Sequence, residues 1–287
     1  MINLLIAIGS AVFALLLFGF GIGGGEFRFW YGFVPALLVL VGVYFFLARW
    51  VFKQVEAVML RAQGELAGLQ DEMAKIQEEA RSPKVMTRPS AQKELQARWE
   101  NAMKDRFDRA IEVFKTGYRW SRWQFLIQGQ ISGQIGMLYY LRQEFDKAEP
   151  YLKESYAKLW IARAMLAVHH FRRKEYDKSK AEFETAVKSN KGEAMLWSIY
   201  AWCLWKNQDR DGAIKVLGRA QQEGVKHELI LAQHLALQNN QKMQMEGWGE
   251  QWYQFHLAKP PTPDAQQAQE PMKLPTMGKI SRRYTYR

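Results

Sequence analysis

The chain has 287 residues, of which 40 are lysine or arginine and 29 are aspartate or glutamate, and its formal charge is +11. A single cysteine, Cys203, excludes a disulfide within the chain and weakly favours a reducing compartment. The basic excess favours acidic proteins, anionic lipid or nucleic acid as partners, but it carries no information about the fold.

Two apolar runs begin the chain, at residues 2–21 and 29–47, and neither contains an acidic or basic residue. Each has about the 20 residues that a helix needs to cross a bilayer. A cleaved signal peptide is the alternative for the first run, but no basic segment precedes it and the second run follows directly. We therefore predict two membrane-spanning helices, and their lack of charge argues against a transporter.

Basic residues are unevenly distributed around these runs. Arg49, Lys53 and Arg61 follow the second run, whereas the connecting loop has only Arg28. The positive-inside rule then predicts a hairpin with both ends in the cytoplasm, so that the rest of the chain is cytoplasmic.

Apolar residues recur at alternating steps of three and four after the second run, which is a heptad pattern. Glutamates at one flanking position, g, follow the same period. The pattern predicts a coiled-coil stalk that continues the second span and joins copies of the chain; the alternative is that this helix packs along its own chain. The predicted oligomerisation residues are Phe52, Val55, Met59, Ala62, Leu66, Leu69, Met73 and Ile76.

Three copies of one pattern, with a period of about 34 residues, occupy residues 129–222. In each copy a small residue is followed twelve positions later by another, then by a large apolar residue and a further small one. Small side chains at both points would let two helices cross closely. The paired small residues are Gly136 and Ala148, Ala167 and Ser179, and Ala201 and Ala213.

This pattern resembles the tetratricopeptide repeat family, which implies stacked pairs of antiparallel helices forming a solenoid. His170 stands where the family usually has an aromatic residue, Ser179 replaces an alanine, and no copy ends in the usual proline. Residues 95–117 are predicted to be a worn copy before the three, and residues 229–255 a degenerate pair after them. In its plan alone, the chain also resembles bacterial anchored repeat proteins of the HemY type.

The resemblance implies a peptide-binding groove lined by the first helix of each copy. That surface would be apolar and aromatic with two cations, and would suit a peptide with hydrophobic anchors and an acidic group. Alternatively, these residues belong to the core, or the chain's own C-terminal segment fills the groove. The candidates are Met137, Tyr140, Leu141, Val168, Phe171, Arg172, Ser198, Trp202, Trp205 and Lys206.

Two basic segments lie outside this pattern. Residues 118–123 combine aromatic residues with Arg119 and Arg122, which favours a segment that packs on the domain and leaves one edge exposed. Binding of lipid headgroups is the alternative, and nucleic-acid binding is disfavoured. Residues 259–287 are rich in proline and end in a basic-aromatic patch. This tail is predicted to be disordered, with docking on a partner or an anionic membrane as the alternative.

No catalytic, cofactor or metal motif is present in the sequence. The neighbours His169 and His170 would point about 100 degrees apart on a helix, so they could not readily share a metal, and His170 falls on a packing position. Cys203 lies in a repeat helix with no base beside it. We therefore predict that the chain is not an enzyme and binds neither a cofactor nor a metal.

Together these features predict an all-α protein of the bacterial inner membrane that recruits or organises protein partners, as a membrane-anchored scaffold with its repeats in the cytoplasm. The alternative is a fixed structural or assembly subunit of a large membrane complex. The expected partners are proteins bound at the groove, membrane lipid and a second copy of the chain. The predicted divisions are a hairpin (1–50), stalk (51–81), linker (82–90), tetratricopeptide-like domain (91–258) and tail (259–287).

Overall fold

The computed structural model describes residues 2–21, 27–80 and 89–259, and every regular element in those ranges is helical. The all-α prediction is thus confirmed for them. Nearly all of the predicted linker and tail lies outside the described residues. The chain divides into two compact units, Met1–Ile131 and Ser132–Arg287, which are described separately.

The first unit begins with two helices that are long and apolar enough to cross a membrane, α1 (Ile2–Gly21) and α2 (Phe29–Ala80). They pack as an antiparallel hairpin, and the Arg28 amide donates to the Gly19 carbonyl at 3.1 Å. A Cβ at Gly32 would collide with the Leu15 carbonyl oxygen. Small residues at such crossings let backbones approach closely, as they do between helices in membranes.

Helix α2 runs for 52 residues and therefore joins the second apolar run to the heptad segment without a break. Its heptad half packs against α3 (Pro89–Thr116) of the same chain. Every residue at the second apolar position of the heptad, d, is buried. Of the residues at the first apolar position, a, Met59 is buried, Leu66 and Met73 are partly buried, and Phe52 is 45 % exposed. The buried d positions are Val55, Ala62, Leu69 and Ile76.

Ion pairs along this helix pair explain the glutamate column of the heptad. Arg106 contacts both Glu65 and Glu72 at 3.3 Å, and Arg98 contacts Glu79 at 2.7 Å. An intrachain partner thus covers much of the predicted oligomerisation seam. Oligomerisation stays a prediction, with Phe52 as the seam residue most available to a second copy.

Helix α3 corrects the prediction of a worn repeat at residues 95–117. It is one helix of 28 residues, and Phe107, Ala110 and Phe114 are buried on it. The sequence from Ser90 to Thr116 contains neither glycine nor proline, so nothing ends the helix where a repeat would turn. A short 3₁₀ helix, Gly117–Trp120, follows it.

Helix α4 (Phe125–Leu141) crosses from the first unit into the second. The second unit is a succession of short helices in which each helix packs against the next. All six predicted crossing residues, Gly136 to Ala213, are buried. The further helices are α5 (Phe145–Glu154), α6 (Trp160–Arg172), α7 (Tyr176–Ser189), α8 (Ala194–Lys206), α9 (Arg210–Gln222) and α10 (Glu228–Gln238).

One turn geometry recurs after α4, α6, α8 and α10. In each turn a residue with φ between 60° and 66° lies just after the helix, and its own amide and the next one donate to carbonyls of the helix's last turn. This is the left-handed C-cap that commonly terminates helices. The four residues are Gln143, Lys174, Gln208 and Asn240.

The chain after the fourth turn differs from the predicted second helix of a degenerate pair. Only a 3₁₀ turn, Glu246–Trp248, and a four-residue helix, α11 (Glu250–Tyr253), form there. We call residues 243–257 the terminal strap. Its buried side chains include Met243, Met245, Trp252 and Phe255, so the strap belongs to the core of the second unit.

Candidate partner-binding face

The candidate groove residues lie on three helices, α4, α6 and α8, and the apolar and aromatic ones belong to or pack against one apolar cluster. Their exposure divides them into three groups. Leu141, Phe171 and Trp205 are partly buried, and Arg172 and Lys206 are exposed. The remaining five are buried: Met137, Tyr140, Val168, Ser198 and Trp202.

The terminal strap covers the buried part of this face. The Trp252 ring meets Trp202 of α8 edge to face, with centroids 5.0 Å apart. Farther along, the Tyr140 hydroxyl of α4 donates to the Phe255 carbonyl at 3.0 Å. The strap therefore contacts two of the three helices that were predicted to line the groove.

A buried glutamine fixes the start of the strap. Gln233 of α10 is 3 % exposed, and its side-chain amide donates to the Gln244 carbonyl at 2.9 Å. Its side-chain oxygen accepts from the Ser198 hydroxyl at 2.6 Å. Ser198 thus has a partner on the neighbouring helix. Sequence reasoning missed Gln233; the available signal was a polar residue at helical spacing from the apolar residues Ile230 and Leu237.

Electrically neutral groups form the contact between the strap and this face. Burial raises the pKa of the Tyr140 hydroxyl, so it stays protonated near neutral pH. Burial also lowers the pKa of His256, and the nearby charge of Arg172 lowers it further. The contact consequently gives no net charge to attract or repel a charged ligand.

The charges lie at the edge of the face. The Arg172 guanidinium carbon is 4.0 Å from the centroid of the Phe145 ring, and the Lys206 ammonium is 4.9 Å from that of Trp205. Such cation–aromatic contacts hold a charge in place while leaving it in water. We call Arg172, Trp205 and Lys206 the basic rim.

An open cleft of about 590 Å³ adjoins the basic rim, between the first turn and the end of α6. Arg172 and Arg173 contribute positive charge to its lining, and Glu144 contributes negative charge. Glu144 is itself paired with Lys147 at 2.7 Å. The cleft is therefore a polar surface of mixed charge, which suits a polar segment of a partner better than an apolar ligand.

The two predicted histidines face different carboxylates. His169 lies 3.2 Å from Glu149, and buried His170 lies 2.8 Å from Glu175. Within the described residues no group of three His, Cys, Asp or Glu side chains could hold a metal ion. Each histidine instead forms a hydrogen bond with one glutamate.

Comparison with protein-family models, curated proteins and solved structures finds no match. A functional assignment for this chain therefore depends on its own residues and geometry. The features available for it are the apolar hairpin, the recurring turns, the strap-covered face and the basic rim.

Proposed function

We propose that the chain is a membrane-anchored scaffold of the tetratricopeptide type, which organises protein partners at the cytoplasmic face of a bacterial inner membrane. The observation that carries this proposal is the left-handed turn that recurs at nearly even spacing, at Gln143, Lys174, Gln208 and Asn240. That spacing is close to the repeat period predicted from the sequence. It therefore supports a repeat architecture, and repeat architectures present extended surfaces to other proteins.

The first unit supports the proposed anchor and stalk. The apolar hairpin is suited to a bilayer, and α2 extends from it as one helix supported by α3. The 30 residues of α2 after Trp50 would extend about 45 Å at 1.5 Å per residue. Such a stalk would extend from the membrane surface.

Partner binding is proposed to involve the basic rim, because the terminal strap already occupies the apolar face. The rim presents an exposed cation beside a partly buried tryptophan, which suits a peptide with an acidic group next to an apolar one. The buried groove candidates then position the rim residues and hold the strap, and a partner would contact them only by displacing it.

The test is affinity purification of the full chain in mild detergent, followed by mass spectrometry. Lys206→Glu reverses a rim charge and should lose the partners that wild type retains. Lys215→Glu makes the same change at an exposed position of α9 and serves as the matched control. Loss with both variants, loss with neither, or a wild-type sample containing only the chain itself would contradict the proposal.

A further inference from the structure

Three tryptophans of the first unit form a cluster beside the apolar hairpin. The Trp50 ring of α2 lies 5.2 Å from Trp120 and 5.7 Å from Trp123, in edge-to-face contacts. Trp120 and Trp123 lie 6.4 Å apart. We call these three residues the tryptophan collar. All three are incompletely buried, and Trp50 is 41 % exposed.

A backbone hydrogen bond ties the collar to the first turn of α1. The Ile2 amide donates to the Arg122 carbonyl at 3.0 Å. The first amides of a helix have no partner within the helix, so this bond satisfies one of them. The segment that follows α3 is thereby attached to the beginning of one apolar helix and, through Trp50, to the end of the apolar part of the other.

These contacts fix the depth of the collar if the hairpin spans a bilayer. The 20 residues of α1 extend about 30 Å, which matches the hydrocarbon thickness. Ile2 and Trp50 then lie at the same boundary between hydrocarbon and headgroups. The rings of Trp120 and Trp123 contact Trp50, so they must lie near that boundary too, where tryptophan is favoured.

Exposed cations surround the collar. Arg49 and Lys53 lie within one turn of Trp50 on α2, and both are exposed. Arg119 and Arg122 are also exposed, and the Arg119 guanidinium carbon lies 5.0 Å from the Trp120 ring centroid. Phe125, at the start of α4, is 73 % exposed. Positive charges thus adjoin apolar groups at headgroup depth.

We propose that Arg119 and Arg122, held by the tryptophan collar, bind the phosphates of anionic phospholipids. This inference rests on the proposed membrane anchoring and adds to it a preference for anionic lipids in the leaflet that the collar contacts. Arginine suits the role because its planar guanidinium can donate two hydrogen bonds to one phosphate. The collar would also fix the stalk to the membrane surface.

Native mass spectrometry of the full chain, released from detergent with added lipid, measures this preference. Wild type should retain phosphatidylglycerol in excess over phosphatidylcholine. The variant Arg119→Gln/Arg122→Gln should retain about 25-fold less phosphatidylglycerol at equal free lipid, since each cation near the surface changes binding about five-fold. The matched control, Lys93→Gln/Lys104→Gln, removes two exposed cations of α3 that precede Arg119 by at least 15 residues, and it should behave as wild type.

Two further measurements on the wild type keep the inference testable if the arginine variant loses its helical circular dichroism. One molar salt should abolish the excess of phosphatidylglycerol. Soluble glycerol phosphate at the same concentration as the lipid should not compete. Equal retention of both lipids, an equal loss in the control variant, or competition by glycerol phosphate would overturn the proposal.

Alkaline extraction of membranes separates this inference from the proposed anchoring. A chain that stays in the membrane pellet but lacks lipid preference contradicts the headgroup site alone. A chain that leaves the membrane contradicts the anchor, and the headgroup site with it.

Discussion

Replacing Gly136 by alanine should destabilise the second unit even though alanine is the better helix former. Gly136 lies inside α4, where α5 crosses it. A Cβ at that position would lie 2.9 Å from the Leu152 Cδ2 atom and 3.0 Å from the Leu152 backbone nitrogen. Carbon contacts are favourable at about 3.5–4.0 Å, so the backbone of α5 would have to move away from α4.

Two opposing effects set the magnitude. Alanine in place of glycine inside a helix gains about 1 kcal/mol, whereas overpacking a close contact costs about 1–3 kcal/mol. Because the obstacle includes backbone, we expect a net loss of about 1 kcal/mol for Gly136→Ala. At a midpoint shift of about 2–4 °C per kcal/mol, the variant should melt about 3 °C lower.

Gly218→Ala is the matched control, since it makes the same change inside α9. The nearest atoms that its Cβ would meet belong to His234 at 3.9 Å, so the helix gain is unopposed and the midpoint should rise by about 3 °C. The assay is thermal unfolding of the full chain in mild detergent, followed by circular dichroism at 222 nm. A midpoint that rises in both variants would refute the close approach of α4 and α5.

Three further outcomes are expected. Trp252→Ala should weaken the packing of the strap on the second unit by about 3 kcal/mol, so limited proteolysis should cut residues 243–257 faster while α6 to α9 stay intact. Unchanged cleavage would contradict that packing. The Arg219 guanidinium holds the pKa of Glu184 below its usual range, with the Tyr200 hydroxyl as a further donor. The stabilisation from this lower pKa is fully present above about pH 4.3 and is lost as the pH falls through the pKa of the folded state. Glu184→Gln should therefore flatten the acid limb of a plot of the free energy of unfolding against pH. An unchanged acid limb would argue against that pair. The Cys203 thiol is buried and its pKa is raised, so a thiol reagent at pH 8 should label it only after unfolding; rapid labelling of the native chain would contradict its burial.

Local sequence patterns accounted for the elements whose stability is local. The two apolar runs predicted α1 and the first part of α2 because length and lack of charge determine whether a helix can lie in hydrocarbon. The small residue at Gly136 identified where α5 approaches α4 closely, because only a small side chain allows that approach. Both signals depend on residues close together in the chain.

Contacts between distant residues decided the rest. The heptad of α2 specified an apolar seam but not its partner; α3 covers much of it, and Arg98 and Arg106 lie opposite the glutamate column. The apolar residues of the strap are compatible with a helix. The strap does not form one long helix, because its residues pack against side chains from distant parts of the chain, such as Tyr140 and Trp202.

The sequence by itself determined the helical class, the apolar hairpin and the spacing of the small residues, since each is a property of spacing along the chain. Only the tertiary structure decided that the terminal strap covers the buried part of the candidate face, that α3 pairs with α2 and that the tryptophan collar meets the hairpin. The physical reason is that burial and ring contacts are made between surfaces brought together by folding. A pattern of apolar residues records that a surface will be buried, but not which surface will cover it.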